Sequence, residues 1–279
     1  MSSSSIDLNA CYDLVMQLVS QSGEIVAARN SQRKTVQIKS HPTDFVTETD
    51  QQIEKLLIDG IRKKFPDHKF IGEEESSEGK KVQLTEAPTW IIDPIDGTMN
   101  FVHSFPHSAI SIALLVNKVT EIGIVYNPVL EQKFTARRGQ GAFYNGKRIH
   151  VSDETDITKA LIMIEFGTNR ESDKVKVVME NLNLLVRKCH GMRCLGGAVL
   201  NICMVALGGA ECAFDFGAHA WDYAASEFIV REAGGVTLDP SGGNFDIMSR
   251  RLLVANNMEM ANQLVAEIVQ YYPSPRDDE

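Results

Sequence analysis

The segment Trp90-Ile91-Ile92-Asp93-Pro94-Ile95-Asp96-Gly97-Thr98 limits what this chain can fold into more than any other stretch. Trp90, Ile91 and Ile92 are bulky or β-branched with no polar residue among them, which predicts a strand buried on both faces. Asp93 follows at the strand's carboxyl end, the edge where open α/β sheets bind ligands. Pro94 fixes its own φ and disfavours helical backbone at Asp93, so a turn is expected there. Asp93, Asp96 and the Ile95 carbonyl between them are oxygen donors of the kind a hard cation such as Mg²⁺ prefers. Gly97-Thr98 come next, where a helix can begin and its free amides can hold an anion. A cation site fused to an anion site suits metal-assisted hydrolysis of a phosphate ester. Taken alone, Asp-Pro-x-Asp-Gly is also an ordinary turn sequence, so the rest of the chain has to decide.

A chain of 279 residues can bury a large core, as one big domain or two intimate halves. Its net charge of −9 argues against nucleic acid or an anionic membrane as a partner attracted by field alone. The same charge sharpens the metal argument, because carboxylates would repel a phosphate unless bound cations reversed the local sign. Cys11, Cys189, Cys194, Cys203 and Cys212 form no C-x-x-C pair. Cys189-His190 with Cys194 is the nearest approach to a soft-metal cluster, and buried free thiols in a reducing compartment are the better reading. Residues Met1 to Asp7 lack the basic and apolar regions of a signal peptide. The best apolar run, Ile110 to Val116, stops at Asn117-Lys118, too short to span a membrane. A cytoplasmic protein is expected.

Periodicity predicts an amphipathic helix over about residues 7–29, a short strand at Val36–Ile38, and a second helix along Ile53, Leu56, Leu57, Ile61 and Phe65. Phe70-Ile71 reads as a strand running into Gly72-Glu73-Glu74-Glu75. An antiparallel meander follows over Ala109–Val116, Val119–Tyr126 and Lys133–Arg137, with a last hairpin at Asn145-Gly146. Beyond about residue 155 strands and helices alternate: a strand at Leu161–Glu165, helices at Lys174–Lys188 and Ala198–Ala206, and a strand at Cys212–Phe214. A helix at Trp221–Ala233, a strand at Leu252–Ala255 and a terminal helix complete the run, with Pro273–Glu279 as a loose tail. The expected division is an N-terminal α+β half, residues 1–154, and a C-terminal α/β half, residues 155–279.

Further acids stand where a strand ends or a helix starts. Glu73 follows a strand and a glycine, Asp222 follows Trp221, and Asp50 lies in the first turns of the second helix. Singly, each fits a plain role: Glu73 with Glu74, Glu75 and Glu78 as a solvated acidic loop, the others as helix-dipole partners. Together they make a pattern. Gly72-Glu73-Glu74, then Trp90 through Thr98-Met99-Asn100-Phe101, then Trp221-Asp222 with Glu232-Ala233-Gly234-Gly235 resemble the motif set of the inositol monophosphatase family, magnesium-dependent and lithium-sensitive phosphatases. Asp44 through Asp50 and Gly196-Gly197-Ala198 match as well, and the resemblance runs over roughly residues 7–270.

The resemblance implies a five-layer αβαβα fold with metals between the halves, and a homodimer. It places Glu73, Asp93 and the Ile95 carbonyl on one Mg²⁺, Asp93, Asp96 and Asp222 on a second, and a weaker third ion near Glu73 and Asp93. Thr98 and Asp50 would orient the attacking water, and Glu73 counts with them as catalytic. The Gly97 and Thr98 amides would contact phosphate. Asp96, Ala198, Asp215 and Thr168 would face the inositol hydroxyls, with Gly196, Gly197 and Asp222 completing the substrate set. The implied reaction is hydrolysis of myo-inositol monophosphates to inositol and phosphate, inhibited by Li⁺.

The chemistry also stands on its own. Metal ions can acidify a water and stabilise a leaving alkoxide, which removes the need for a catalytic Ser, Cys or His. The chain accordingly has no G-x-S-x-G, H-E-x-x-H or G-x-x-x-x-G-K-[ST]. His103, His107 and His219 are read as supporting residues. Three positions depart from the animal enzymes: Asp215 in place of Glu, Gly197 in place of a hydroxyl residue, and Thr168 in place of Ser. All bear on substrate preference and none on the metal ligands. Lys39 is placed near the weak metal or on the surface. The rivals are a bisphosphate nucleotidase or fructose bisphosphatase of the same superfamily, which often carry longer insertions between the Glu-Glu and Asp-Pro motifs, and a non-catalytic homologue, which would have lost metal acids.

Overall fold

The computed structural model describes residues 6–32, 34–38, 45–77 and 83–279. Lys39, Asp44, Glu78 and the first five residues, all weighed above, lie outside the described residues.

Helix α1 (Leu8–Asn30) is capped by Asp7, whose side chain accepts from the Ala10 amide at 2.9 Å, and it buries Val15, Val19 and Val26. Strands β1 (Val36–Ile38) and β2 (Phe45–Thr47) pair antiparallel, and α2 (Glu48–Lys64) follows directly. Next come β3 (Lys69–Gly72), the single-turn helix α3 (Glu73–Ser77), β4 (Thr89–Asp96) and a second short helix, α4 (Thr98–Val102). The predicted meander is β5 (Ala109–Val116), β6 (Val119–Asn127), β7 (Gln132–Arg137), β8 (Gly141–Tyr144) and β9 (Lys147–Ile149). The remainder is β10 (Leu161–Met163), α5 (Ser172–Leu185), β11 (Gly191–Arg193), α6 (Ala198–Ala206), β12 (Cys212–Phe216), α7 (Ala220–Glu232), β13 (Val236–Leu238), β14 (Arg251–Ala255) and α8 (Met258–Val265).

Strands β3 to β9 form one sheet in chain order, with β3–β4 parallel and every other pair antiparallel. The second sheet has the order β11-β10-β12-β14-β13. Three apolar clusters fill the spaces between layers. Val15, Val19, Ile53 and Leu57 of α1 and α2 pack on Trp90, Ile92, Ile110 and Ile112 of the large sheet. That sheet's other face (Ile91, Ala113, Val125) meets α6 and α7, which also cover the small sheet through Met163, Ala213 and Val254. Leu185 of α5 and Met260 and Leu264 of α8 close the outer face of the small sheet. The result is the expected αβαβα stack. Trp90, Ile91 and Ile92 are buried on both faces because each face of β4 has a helical layer over it.

Three expectations are corrected. The chain does not turn at Pro94: β4 runs on to Asp96, and its register against β5 shifts between Asp93 and Asp96. A proline at an irregularity forfeits no ladder bond, so a bulge replaces the turn. Strands β11 and β13 were not foreseen; each has only three residues and too little alternation to read. Pro273–Glu279 is not loose. The Asp277 side chain accepts from the Ala220 amide at 2.8 Å and meets the His219 ring nitrogen Nδ1 at 2.6 Å.

Candidate active site

Residues three apart on a regular strand point to opposite faces. The bulge in β4 removes that parity: Asp93 lies opposite Ser111 and Asp96 opposite Ala109, three residues against two. The Ile95 amide donates to Asp93 Oδ1 at 2.9 Å, fixing that carboxylate across the bulge. Asp222 arrives from the first turn of α7, held by the His219 amide at 2.6 Å. Side-chain oxygens of Asp93, Asp96 and Asp222 lie within 4.8 Å of one another. Glu73, at the start of α3, completes the group through its interaction with Asp93.

Among the described residues no lysine or arginine forms an ion pair with Asp93, Asp96 or Asp222. Burial, reinforced by Glu73, Asp222 and Asp96, pushes the Asp93 carboxyl well above its ordinary range. Asp96 is raised by burial and then by Asp222 and Glu165. Burial takes Asp222 up to about 7 against the opposing pull of His219. Mutually repelling carboxylates in a low-dielectric pocket are costly unless a cation compensates them. An all-oxygen donor set of this charge fits Mg²⁺.

Beside the cluster, the Thr98 hydroxyl lies 3.0 Å from the Ile95 carbonyl and 3.3 Å from Asp50 Oδ1. Asp50 is fully buried, and its Oδ2 accepts from the Thr47 amide at 2.9 Å and from the Thr47 hydroxyl. Its place in the first turn of α2 is therefore both a helix cap and a link to Thr98. Gly97 has φ of 78°, and a Cβ there would come within 3.0 Å of the His107 carbonyl, so a side chain is excluded on two counts. Asp96 also accepts from the Ala198 and Val199 amides at 3.2 and 3.1 Å, taking over the cap of α6 that Gly197 cannot supply.

Residues 7–272 match the inositol monophosphatase family. The chain belongs to that family. Inositol monophosphatase 1 of Homo sapiens is 48% identical over 270 residues, covering 96% of this chain and 97% of the relative. Inositol monophosphatase 2 of Mus musculus is 46% identical over 270 residues, covering 96% of this chain and 93% of its own. Among solved structures, an IMPase of Thermotoga maritima superposes with a TM-score of 0.81 at 30% identity, covering 92% of this chain and 98% of that one. The extragenic suppressor protein suhB of Bartonella henselae superposes at 0.83 with 28% identity, covering 92% and 97%.

Within this inositol monophosphatase-family chain, the expected metal ligands Asp93, Asp96 and Asp222 converge, and Thr98 and Asp50 meet beside them. Gly196 and Gly197 lie at the start of α6, where Asn100 donates to the Leu195 and His107 carbonyls at 2.7 and 2.8 Å and ties that loop to α4. A Cβ on Gly197 would sit 2.4 Å from Asp96 Oδ2, so the missing side chain is what lets Asp96 reach the helix. Asp215, on β12, has Oδ1 fixed by the Ala218 amide at 2.9 Å and the Tyr223 hydroxyl at 3.0 Å. Thr168 sits exposed on the loop between β10 and α5. Of the cysteines, Cys11, Cys203 and Cys212 are buried as expected, whereas Cys194 is exposed beside Glu165.

Glu54 was not foreseen; its carboxylate accepts from the Glu74 and Glu75 amides at 2.9 Å each and so caps α3. Its signal was present: a charged residue on the apolar face of α2, beside Ile53 and Leu57. Asn100 lay within the quoted motif but had no role assigned. Nothing in the tail's composition pointed to Asp277.

Proposed function

We propose that this protein is a Mg²⁺-dependent phosphomonoesterase that hydrolyses myo-inositol monophosphates to inositol and phosphate and is inhibited by Li⁺. The observation that carries the reading is the convergence of Asp93, Asp96 and Asp222, with no lysine or arginine paired to them among the described residues, next to the Thr98–Asp50 contact. In this reading the N-terminal half, residues 1–154, carries most metal ligands, and the C-terminal half, residues 155–279, supplies Asp222 and the polyol-facing residues.

Glu73, Asp93 and the Ile95 carbonyl would hold one Mg²⁺, Asp93, Asp96 and Asp222 a second, with a third near Glu73 and Asp93. Bound cations supply charge neutralisation at the phosphate, an acidified water and a stabilised leaving oxygen. The protein's own part is positional. The Thr98 hydroxyl donates its hydrogen bond to Asp50, which leaves a lone pair on Thr98 Oγ1 to orient the attacking water. The Gly97 and Thr98 amides face the phosphate. Asp96, Ala198, Asp215 and Thr168 meet the inositol hydroxyls, with Gly196, Gly197 and Asp222 closing the substrate pocket.

The five unpaired cysteines agree with a cytoplasmic setting. No described helix is long and apolar enough to cross a membrane. The reading includes a homodimer, checked by sedimentation. Phosphate release from myo-inositol 1-phosphate, galactose 1-phosphate, fructose 1,6-bisphosphate and 3′-phosphoadenosine 5′-phosphate, with and without Mg²⁺, tests the whole. Preference for the inositol ester supports it, and preference for the nucleotide overturns it.

A further inference from the structure

Lys174 is only 3% exposed, an unusual position for a lysine, and it lies on the buried face of α5. No hydrogen bond or ion pair reaches its ammonium among the described residues. It rests over the rings of Tyr271 and Phe216, 5.3 and 5.8 Å from their centroids. A buried ammonium with no hydrogen-bond acceptor is costly. Lys174 lines a cavity of about 20 Å³ together with Glu165, Asp215, Asn181 and Phe216. A cavity needs only about 10–15 Å³ of this kind to hold a water.

Asp215 presents the complementary vacancy. Its Oδ1 already accepts two hydrogen bonds, from Ala218 and Tyr223, which fills both lone pairs. Its Oδ2 has no protein donor among the described residues, so two acceptor sites remain open. Other charges facing Lys174 divide by sign. Burial lowers its pKa first, Asp215 opposes that, and Arg250 adds to it. Glu165, on the cavity wall, is occupied by the Phe166 and Gly196 amides.

We propose that Lys174 is a specificity-determining residue, which binds one water in this cavity and through it holds Asp215 Oδ2 in place to accept a hydrogen bond from a substrate hydroxyl. One lone pair of Oδ2 takes the water and the other takes the polyol. The ligand class is a phosphate ester of a polyhydroxylated ring, and the proposal rests on the substrate reading above. It also gives the shorter Asp at position 215 a physical partner.

The test compares wild type, Lys174→Met and Lys174→Arg on myo-inositol 1-phosphate and on p-nitrophenyl phosphate, which has no hydroxyl to offer Asp215. Methionine keeps the stem packed on Phe216 and Tyr271. The expected result is an about tenfold rise in KM for the inositol ester in Lys174→Met, the size of one weakened charge-assisted hydrogen bond. Its kcat, and both constants for p-nitrophenyl phosphate, should stay within about twofold, and Lys174→Arg should recover most of the loss. In an Asp215→Asn background, Lys174→Met should add nothing further. Parallel losses on both esters, no loss on either, or additive effects with Asp215→Asn would overturn the proposal. Wild type that hydrolyses p-nitrophenyl phosphate but not the inositol ester defeats the substrate reading instead. The Lys174 comparison is then made on the polyhydroxy ester that wild type does accept.

Discussion

Thr98 Oγ1 lies 3.3 Å from Asp50 Oδ1, a contact across 48 residues of sequence that joins the start of α4 to the first turn of α2. A hydroxyl has one proton, and two acceptors compete for it here, the second being the Ile95 carbonyl at 3.0 Å. Occupation of that carbonyl by a cation would commit the proton to Asp50 and free Thr98 to accept from water. Thr98→Ala should therefore lower kcat by about 10²–10⁴, the range for removing a positioned proton-transfer partner, and leave the Mg²⁺ half-saturation nearly unchanged. Thr98→Ser should restore most of the rate. A threonine-to-alanine variant with wild-type kcat would show that this hydroxyl does not touch the reaction.

Asp93 separates function from stability. Asp93→Asn removes one of the mutually repelling buried carboxylates, so without metal the variant should melt at or above the wild-type temperature in EDTA. It should lose several orders of magnitude in hydrolysis, together with the rise in melting temperature that Mg²⁺ is expected to give the wild type. Calorimetry with and without Mg²⁺ reads both effects.

Burial, with neighbouring acids adding to it, fixes the sign of the pH dependence. Asp222 and Glu54 are both raised to about 7, whereas unfolded carboxylates titrate near 4. Between those values the folded state binds more protons than the unfolded state, so stability without metal falls as pH rises. The extra stability is complete below about pH 4 and gone above about pH 7 for these two groups. Thermal melts in EDTA should show that decline across the interval, and saturating Mg²⁺ should flatten it. A metal-free protein that gained stability from pH 5 to pH 7.5 would contradict the arrangement.

Glu54 reaches the cluster through backbone. It satisfies two amides at the start of α3, and Gly72 makes room for it: a Cβ there would come 2.6 Å from the Glu54 carboxyl carbon. Glu54→Gln presents an amide group to a second amide donor and loses at least one bond, at a cost of about 1–3 kcal/mol for a buried unsatisfied donor. Glu73 then loses its fixed pose. The Mg²⁺ half-saturation should rise about tenfold, with much of kcat recovered at high Mg²⁺. A titration of activity against Mg²⁺ decides it.

What the sequence revealed depended on how local the cause was. Helices α1, α2, α6 and α7 and the β5–β9 meander were readable because period, caps and Asn145-Gly146 act over a few residues. The acids of the candidate metal site were readable because a motif fixes their spacing. The bulge at Asp93–Asp96 was not, because a proline between two acids fits a turn as well as a bulge, and only pairing with β5 selects between them. Glu54 was hidden by its partner, backbone amides 20 and 21 residues away that carry no signature of being capped.

Asp277 is the extreme case, and it yields the last prediction. It lies 55 residues beyond Asp222 in a segment whose Pro, Arg and Asp content reads as a solvated tail. In the fold its side chain is 3% exposed, its Oδ2 accepts from the Ala220 amide, and its Oδ1 meets His219, whose ring stacks on Trp221 at 4.5 Å. The tail thus caps the helix that delivers Asp222. Asp277→Ala should remove a cap worth about 1 kcal/mol and lower the melting temperature by about 2–4 °C. Because the loosened turn carries Asp222, a proposed metal ligand, the Mg²⁺ half-saturation should rise several-fold while the metal-free pH profile keeps its slope. Deletion of residues 273–279 should reproduce both effects, and a deletion variant with unaltered Mg²⁺ response would show that α7 holds Asp222 without the tail.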